Sequence, residues 1–331
     1  MEQSCKLARL NIFMDELIIN FEENKSAWDI FLSKSPQRTI FLSSKFLDSL
    51  GPKYSLLTCY LNGKVVAGAA VIFDKNGQPL SSPFPYTQFQ GLLLSDNSDK
   101  KKHTIISYEN KIAEFFIDEI TKKYKYICFS NSWRLNDLRP FLWHAYKESV
   151  TKKFKIEPRY TGILDLKPYK DINLFLPSIR SVRRQEFKKA FSDIKIQFSD
   201  NILILDDLHA KTFERQNIKR VNNASELIRS IASSALKNNY GKLCLAIKDD
   251  KPIAATLFLY DDRTAYYLIG ANDPNYRKSN ANTFLIINMI KDAIENKYLE
   301  IDFCGLNSPN RGDFKVSFNA EPKLYFNCSL E

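Results

Sequence analysis

The sequence predicts a mixed α/β fold that is built twice, and three features of the 331 residues indicate it. The segments TCYLNGKVVAGAAVIFD (58–74) and LAIKDDKPIAATLFLYD (245–261) align without gaps, and each has the pattern of two strands joined by a tight turn. DEITKKYKYICF (118–129) resembles DAIENKYLEIDF (292–303), and both have the pattern of a helix end followed by a strand. Apolar residues are 44% and charged residues 26%, which is typical of a globular protein with a sizeable core.

The turns and the spacing of the repeat define the elements further. Asn62-Gly63 is a strong hairpin signal, because both residue types tolerate a positive φ, and Asp249-Asp250 is a weaker version of the same turn. The first copy has a longer connection, GQPLSSPFPYTQFQG, in which no strand or helix can run far. We therefore expect two layered domains, residues 1–165 and residues 166–331.

Two helices are expected in the second half. One has an apolar side that runs from Phe284 to Ile294 and packs on a sheet. The other follows Pro177 and Ser178, with Ser178 as its cap. A basic row recurs along this second helix with helical spacing, and guanidinium groups in such a row can clamp phosphates; the alternative is an ordinary solvated face. The row consists of Arg180, Arg184 and Lys188, with Arg183 beside it.

The net charge of +10 is concentrated in one part of the chain. Residues 147–195 contain 13 basic and 6 acidic side chains, and 13 − 6 gives +7. A field of one sign attracts nucleotide phosphates, nucleic acid or an acidic membrane surface. A lysine-rich solvated surface is the alternative.

Composition also argues against several protein classes. Only 10 glycines are present, which disfavours a fold with several glycine-rich phosphate loops. The three histidines and six cysteines, Cys5 among them, have no zinc or redox spacing, so we expect no metal. No apolar run approaches the roughly 20 residues that span a bilayer, and MEQSCKLARLNIF lacks an export pattern. We expect an intracellular protein.

The C-terminal half resembles the acyltransferase domain of FemAB-like proteins, which are relatives of the GNAT N-acetyltransferases. The matching pieces occur in order from about residue 179 to residue 326, and a weaker likeness covers 39–91. They are SVRRQEFKKA, FERQNIKR, the hairpin, TAYYLIG, IDFCG and the later FK pair, with TIFLSSKFLDSLG and PYTQFQG in the first domain. The resemblance implies two tandem GNAT-like domains, each with a mixed, mostly antiparallel sheet flanked by helices.

The same resemblance implies an activity. Family members transfer an acyl or aminoacyl group to an amine of a peptidoglycan or polysaccharide precursor in the cytoplasm. It implies no tightly bound cofactor and, as acyl donor, either aminoacyl-tRNA or acyl-CoA. The partners would be an anionic or nucleotide-linked substrate and tRNA, with peripheral membrane contact. Two alternatives stay open: an acetyl-CoA-dependent GNAT N-acetyltransferase, and a non-catalytic tandem domain that binds RNA or a nucleotide-sugar.

One departure from the wider superfamily concerns the donor. The loop before the long helix reads R/Q-x-x-G-x-G/A in acetyl-CoA enzymes, whereas the aligned residues here are Arg277, Asn280 and Asn282. The Cβ of asparagine obstructs the close approach of a pyrophosphate to the backbone. Coenzyme A bound in the usual way is therefore disfavoured, and Arg277 stays a candidate contact to the substrate.

The resemblance also implies catalytic residues. Lys315 matches the lysine of the FK motif, which is thought to stabilise the oxyanion of a tetrahedral intermediate, and Phe314 would exclude water. Asp302, at a strand's C-terminal end, is a candidate base for the amine if burial raises its pKa; an ordinary ion-pairing role is the alternative. Tyr266 and Tyr267 alternate on a strand, and Tyr267 is the candidate that faces the cleft.

The candidate phosphate contacts are arginines. Arg215, in FERQ, aligns with an arginine that contacts the phosphates of the nucleotide-linked acceptor in the family. Arg180 and Arg183 would extend that contact. The matching lysine of the first domain has no counterpart, since Lys45 and Lys53 lie nearby without aligning.

Overall fold

The computed structural model describes residues 17–99, 101–147 and 152–331. By its internal contacts the chain divides into two units. The first takes in the described residues up to Leu47 together with those of Pro52–Pro158 and Tyr325–Glu331. The second comprises Asp48–Gly51 and Arg159–Leu324. Cys5 and the MEQSCKLARLNIF segment lie outside the described residues.

The first unit combines a sheet with helices. Its elements are β1 (Leu17–Glu22), α1 (Lys25–Lys34), α2 (Ser44–Leu47), β2 (Tyr54–Leu61), β3 (Lys64–Ile72), β4 (Leu93–Leu94), α3 (Lys102–Lys123), β5 (Cys128–Ser130) and α4 (Arg139–Trp143). Strands β1 to β4 form an antiparallel sheet in that order. Helix α3 buries Phe116, Ile117 and Ile120 in the core, which Phe129 of β5 shares. Apolar residues at helical spacing on α3 pack against apolar residues of β1 and β3.

The second unit has the same kind of architecture. Its elements follow β6 (Phe154–Asp165), which begins in the first unit: α5 (Ile172–Phe175), α6 (Ser181–Phe191), β7 (Lys195–Phe198), α7 (Ile202–Arg215), α8 (Ala224–Lys237), β8 (Gly241–Lys248), β9 (Lys251–Tyr260), β10 (Thr264–Asn272), α9 (Ala281–Glu295), β11 (Glu300–Asp302) and α10 (Pro309–Val316). Strand β12 (Glu321–Leu330) begins in this unit, and its residues from Tyr325 onward belong to the first unit. The strands of the second unit lie in the order β6-β11-β10-β9-β8-β7. The β10–β11 pair is parallel, and its other pairs in that order are antiparallel. The predicted fold class, mixed and mostly antiparallel sheets flanked by helices, is confirmed.

Helix α9 is the most apolar helix of the second core. Its buried residues include Phe284, Ile287 and Ile290, as the sequence pattern predicted, and they pack on β8, β9 and β10. Burial of a side chain of this size stabilises a fold by about 1.5–3 kcal/mol. The helix that directly precedes β11 is thus fixed by the core.

Both predicted hairpin turns are confirmed. Asn62 and Gly63 have φ values of 50° and 73°, and Asp249 and Asp250 have 49° and 57°. Two successive positive φ values define the type I′ turn, whose twist matches that of the flanking strands. In each copy a helix, α3 or α9, then leads to a short strand, β5 or β11, so the repeated segments have the same local structure.

The predicted cap of helix α6 is wrong. Ser178 lies in a short 3-10 turn, Leu176–Ser178, and its hydroxyl donates to the Phe175 carbonyl. The helix begins at Ser181 after Arg180, because Ile179 is extended and buries its side chain in the core. Phe191, at the other end, is exposed.

The two units differ from the two predicted domains in the position of the boundary and in the last residues of the chain. They divide the chain between Pro158 and Arg159, and they assign Tyr325–Glu331 to the first unit. The boundary between residues 165 and 166 stays a prediction about the repeat. Among the described residues no helix is long and apolar enough to cross a bilayer. The cysteines that the structure describes are free thiols: Cys59, Cys128, Cys244, Cys304 and Cys328.

Candidate active site

A turn after strand β11 forms the centre of the candidate site. Cys304 and Gly305 both have left-handed backbones, with φ values of 52° and 95°. For Cys304 this conformation is uncommon, and such outliers concentrate at functional sites. The turn directs the Cys304 amide to the Asp302 carboxylate, 2.8 Å away, and the Gly305 amide to the Thr161 hydroxyl, 3.3 Å away.

Asp302 is a buried carboxyl group, 1% exposed, at the end of β11. Its Oδ1 accepts hydrogen bonds from the hydroxyl of Thr161, on the neighbouring strand β6, and from the Cys304 amide. Burial raises the pKa of Asp302 to about 7, and nearby Glu300 adds to the rise, although both hydrogen bonds and Lys315 oppose it. A carboxyl group that titrates near neutral pH can accept a proton from an ammonium group.

Lys315 lies in the last turn of α10, with its ammonium group at the same turn of the chain. Its Nζ donates to the carbonyl oxygens of Gly305, at 2.9 Å, and Cys304, at 3.3 Å. Burial lowers the pKa of Lys315 to about 8, while the charge of Asp302 acts in the opposite direction. Because an ammonium group has three donors, one remains for a developing oxyanion.

Aromatic rings surround the lysine. Its Nζ lies 5.7 Å from the ring centroid of Tyr267, which packs on Phe303. Burial raises the pKa of Tyr267, so its hydroxyl stays protonated at neutral pH. Phe314, beside the lysine, contacts Phe318 at 5.1 Å between centroids. These rings lower the local polarity, which strengthens an electrostatic contact between the ammonium group and a reacting oxygen.

Arg180 and Arg183 lie close to α10, and both have partners in the protein. Arg180 forms a two-pronged ion pair with Asp313, with N–O distances of 2.9 and 2.8 Å. Arg183 donates to Glu186 at 2.5 Å, and its guanidinium carbon lies 4.8 Å from the Phe314 ring centroid. The structure thus brings both arginines to the helix that carries Lys315.

Arg277 and Arg215 belong to a different part of the second unit. Arg277 is exposed on a 3-10 turn, Pro274–Ser279, just before α9. Arg215 is exposed in the last turn of α7, and Thr212 of that helix bonds to Asn272 at the end of β10. Both arginines therefore lie beside the segment between β10 and α9, and no contact between described residues joins them to Lys315.

The residue before α9 has a backbone conformation that favours glycine. Asn280 is left-handed, with a φ of 64°, and the helix has no side-chain cap there. Asparagine tolerates this conformation better than most residues. The Cβ atoms of Asn280 and Asn282 remain as obstacles to a pyrophosphate.

Sequence reasoning missed the residues that support the two candidate catalytic groups. Thr161 carries no local signal, because strand pairing brings it to Asp302 from 141 positions away. Gly305, in IDFCG, could have been recognised as a turn glycine. Thr283 also gave no signal, although its hydroxyl donates to Glu186 at 2.5 Å. Glu186 could have been recognised, because it follows Arg183 at the i, i+3 spacing of a helical ion pair.

The large described cavities lie in the first unit. One of about 670 Å³ is lined by residues of α3 and α4 and by Lys152, and it contains a His144–Asp118 hydrogen bond of 2.8 Å. Another, of about 420 Å³, is lined by residues such as Lys102, Asn110 and Arg134. No residue of either cavity belongs to the predicted site.

Comparison with known proteins gives consistent matches. The family model described as "Acetyltransferase (GNAT) domain" matches residues 178–315. Among solved structures, FemX has a TM-score of 0.66 and 14% identity, with 94% of this chain and 96% of FemX covered. No curated protein matches the chain significantly.

Two further solved structures have the same fold. A tandem GNAT protein from the clavulanic acid biosynthesis pathway has a TM-score of 0.53 and 10% identity, with coverage of 95% and 98%. The C-terminal domain of a putative lysylphosphatidylglycerol synthetase from Agrobacterium fabrum also has a TM-score of 0.53 and 10% identity, with coverage of 92% and 89%. At these identities the likeness is one of fold.

Proposed function

Residues 178–315 form a GNAT acyltransferase domain, and from this premise we propose that the chain is a FemAB-like enzyme that transfers an acyl or aminoacyl group to an amine of a cell-envelope precursor. One observation carries the proposal: a half-buried ammonium group, Lys315, and a buried carboxyl group, Asp302, meet at one strained turn. This pairing supplies the two functions that acyl transfer to an amine requires, charge stabilisation and proton removal.

The proposed reaction has three steps: removal of a proton from the acceptor, attack on the donor carbonyl, and collapse of the intermediate. Asp302, in its ionised form, accepts a proton from the ammonium group of the acceptor, and the free amine attacks the donor carbonyl. The carbonyl oxygen then gains negative charge, which the third N–H of Lys315 stabilises. Collapse of the intermediate breaks the bond to the donor's leaving group, and the leaving group takes up the proton that the attacking nitrogen, positively charged after its attack, must lose to give the neutral amide. Tyr267 and Phe314 exclude water, so that hydrolysis of the donor does not compete.

Aminoacyl-tRNA is the preferred donor in this proposal, and acyl-CoA is the second candidate. The Cβ atoms at Asn280 and Asn282 disfavour a pyrophosphate at the start of α9, whereas the "Acetyltransferase (GNAT) domain" match favours acyl-CoA. Arg215 and Arg277, both exposed near that start, are proposed contacts to the phosphates of the donor or of a nucleotide-linked acceptor. We place this reaction in the cytoplasm, where such donors are made.

A transfer assay tests the proposal. Purified protein is incubated with radiolabelled alanyl-tRNA or acetyl-CoA as the donor and UDP-N-acetylmuramyl-pentapeptide as the acceptor. We expect amide product with one donor, and a loss of about 100-fold or more in kcat for Lys315→Ala, because an oxyanion donor is removed. Lys291→Ala, an exposed lysine of α9, is the matched control and should retain activity.

The alternative of a silent RNA-binding module predicts a different result. It requires that the folded wild-type protein transfers no acyl group from either donor, and that tRNA binding weakens steeply with salt. Transfer that persists in Lys315→Ala would equally contradict the proposed role of the lysine.

A further inference from the structure

We infer that helix α6 positions the catalytic lysine: Arg183 and Glu186, with Arg180, fix helix α10 in place and are positioning residues, not contacts to substrate phosphates. The inference rests on the proposed function only in taking Lys315 as the catalytic ammonium group. It is carried by a continuous series of contacts from the core helix α9, through α6, to α10.

The first contacts join the start of α6 to α10 on both sides of the lysine. Arg180 pairs with Asp313, two residues before Lys315. Its backbone amide donates to the carbonyl of Ser317, two residues after Lys315, at 3.1 Å. The ion pair is exposed and contributes little free energy alone, but the two contacts together restrict rotation of the helix end.

Arg183 makes the second connection. Its guanidinium carbon lies 4.8 Å from the ring centroid of Phe314 and 6.0 Å from that of Phe318. The side chain is only 18% exposed, and a cation–π contact is stronger when the cation is withdrawn from water. The rings on both sides of Lys315 in sequence are thus held by one guanidinium group.

Glu186 and Thr283 make the third connection, to the core. The Glu186 carboxylate accepts a hydrogen bond from the Thr283 hydroxyl at 2.5 Å and pairs with Arg183 at 2.5 Å. Thr283 is 2% exposed, in the first turn of α9, which the core fixes. Arg183 also donates to the Thr283 hydroxyl, at 3.3 Å. The contacts to Glu186 and Thr283 therefore hold the guanidinium group of Arg183 in place over the ring of Phe314.

The same contacts oppose a phosphate-binding role. A phosphate at Arg183 would have to compete with a carboxylate that is already bound and partly desolvated. Arg184, next in the basic row, donates to the carbonyls of Pro177 and Ile179. One observation favours the phosphate-binding role of Arg183. Its Nε is buried and has no hydrogen-bond partner among the described residues. The experiment therefore includes an anion.

The test follows the titration of Lys315 itself. Wild-type protein and variants are labelled with acetic anhydride from about pH 6 to pH 11, and mass spectrometry measures the rate at Lys315. We expect a wild-type pKa of about 8. In Glu186→Gln and Thr283→Val the pKa should rise by about one unit or more, because a loosened α10 exposes the ammonium group to water.

Matched variants separate positioning from general damage. Thr283→Ser keeps the hydroxyl and should keep the wild-type pKa of Lys315, and so should Lys188→Met, on the exposed side of α6. Thermal melts establish that each variant is folded. An unchanged pKa in both Glu186→Gln and Thr283→Val, or a shift in Thr283→Ser as large as that in Thr283→Val, overturns the inference.

The anion arm uses UDP as the probe. Binding of UDP that Arg183→Met abolishes, while the pKa of Lys315 stays at its wild-type value, would establish the phosphate contact and overturn the inference. Labelling requires no turnover, so a protein that transfers nothing refutes the proposed function and leaves this measurement decisive.

Discussion

At the scale of single residues, two groups share one turn and titrate in neighbouring pH ranges. Burial moves the pKa of Asp302 up to about 7 and that of Lys315 down to about 8. Each shift favours the neutral form, because desolvation penalises charge. The proposed reaction needs the charged form of each group, an ionised Asp302 and a protonated Lys315. Both forms coexist to a large extent only in a narrow pH interval between the two pKa values.

The first prediction is a bell-shaped dependence of kcat/KM on pH. We expect the acid limb near pH 7, from Asp302, and the alkaline limb near pH 8, from Lys315. Lys315→Arg should move the alkaline limb beyond the measured range, since a guanidinium group stays charged, even if kcat falls. A flat profile between about pH 6 and pH 9, an interval that contains both expected limbs, would contradict this assignment.

The second prediction concerns stability and Asp302. Its pKa is higher in the folded state than the ordinary 3.8, so the native state binds the proton more tightly. Stability therefore falls as the pH rises from about 4 to about 7 and is constant above that interval. Asp302→Asn keeps an oxygen that accepts the two hydrogen bonds. Because an amide does not titrate in this interval, the variant does not lose stability as the pH rises. At pH 8 the variant should be more stable by up to about 4 kcal/mol, with the difference gone below pH 4.

Urea unfolding at both pH values measures this difference. Asp262→Asn, at an exposed aspartate of the same unit, controls for the removal of one carboxyl group. A gain of equal size at pH 4 and pH 8 would show that desolvation of the carboxylate is not its cause.

At the scale of elements, the packing of helix α10 on the preceding turn decides where Lys315 lies. A Cβ atom on Gly312 would lie 2.5 Å from the carbonyl oxygen of Leu306, and real Cβ contacts are never that close. Glycine is therefore required for this close approach of helix and loop. The Gly312 amide also donates to Ser308 at 2.7 Å, at the start of the helix.

The third prediction follows from that contact. Gly312→Ala should push α10 away from the turn and lower kcat by about tenfold or more, although alanine normally favours a helix. Asn310→Ala, on the exposed side of the same helix, should leave kcat near the wild-type value. The transfer assay measures both, and a Gly312→Ala variant with wild-type kcat would show that the helix position is not critical.

At the scale of the molecule, part of the net charge of +10 is already paired within the protein. Three arginines in the basic part of the chain, residues 147–195, are engaged in this way: Arg180 by Asp313, Arg183 by Glu186 and Arg184 by backbone carbonyls. The attraction for an anionic partner therefore depends on exposed residues, such as Arg215 and Arg277, and on lysines.

The fourth prediction uses thermal stability of the full chain to identify the donor. A ligand at about 100 times its Kd stabilises the native state by about 3 kcal/mol, which raises the Tm of a unit of this size by about 5–10 °C. We expect such a shift with alanyl-tRNA and none with millimolar coenzyme A. A shift with coenzyme A alone would reverse the preference for the donor.

Sequence alone determined the repeated hairpins, the long helices and the fold class, because turn residues and apolar periodicity act locally. It also singled out Lys315 and Asp302, through a resemblance and through their places at the ends of elements. Only the tertiary structure showed that Thr161 bonds to Asp302, and that Thr283 bonds to Arg183 and to Glu186. Those contacts join positions about a hundred or more apart, so no local pattern records them: they exist because strand pairing and helix packing bring distant side chains into a space that excludes water.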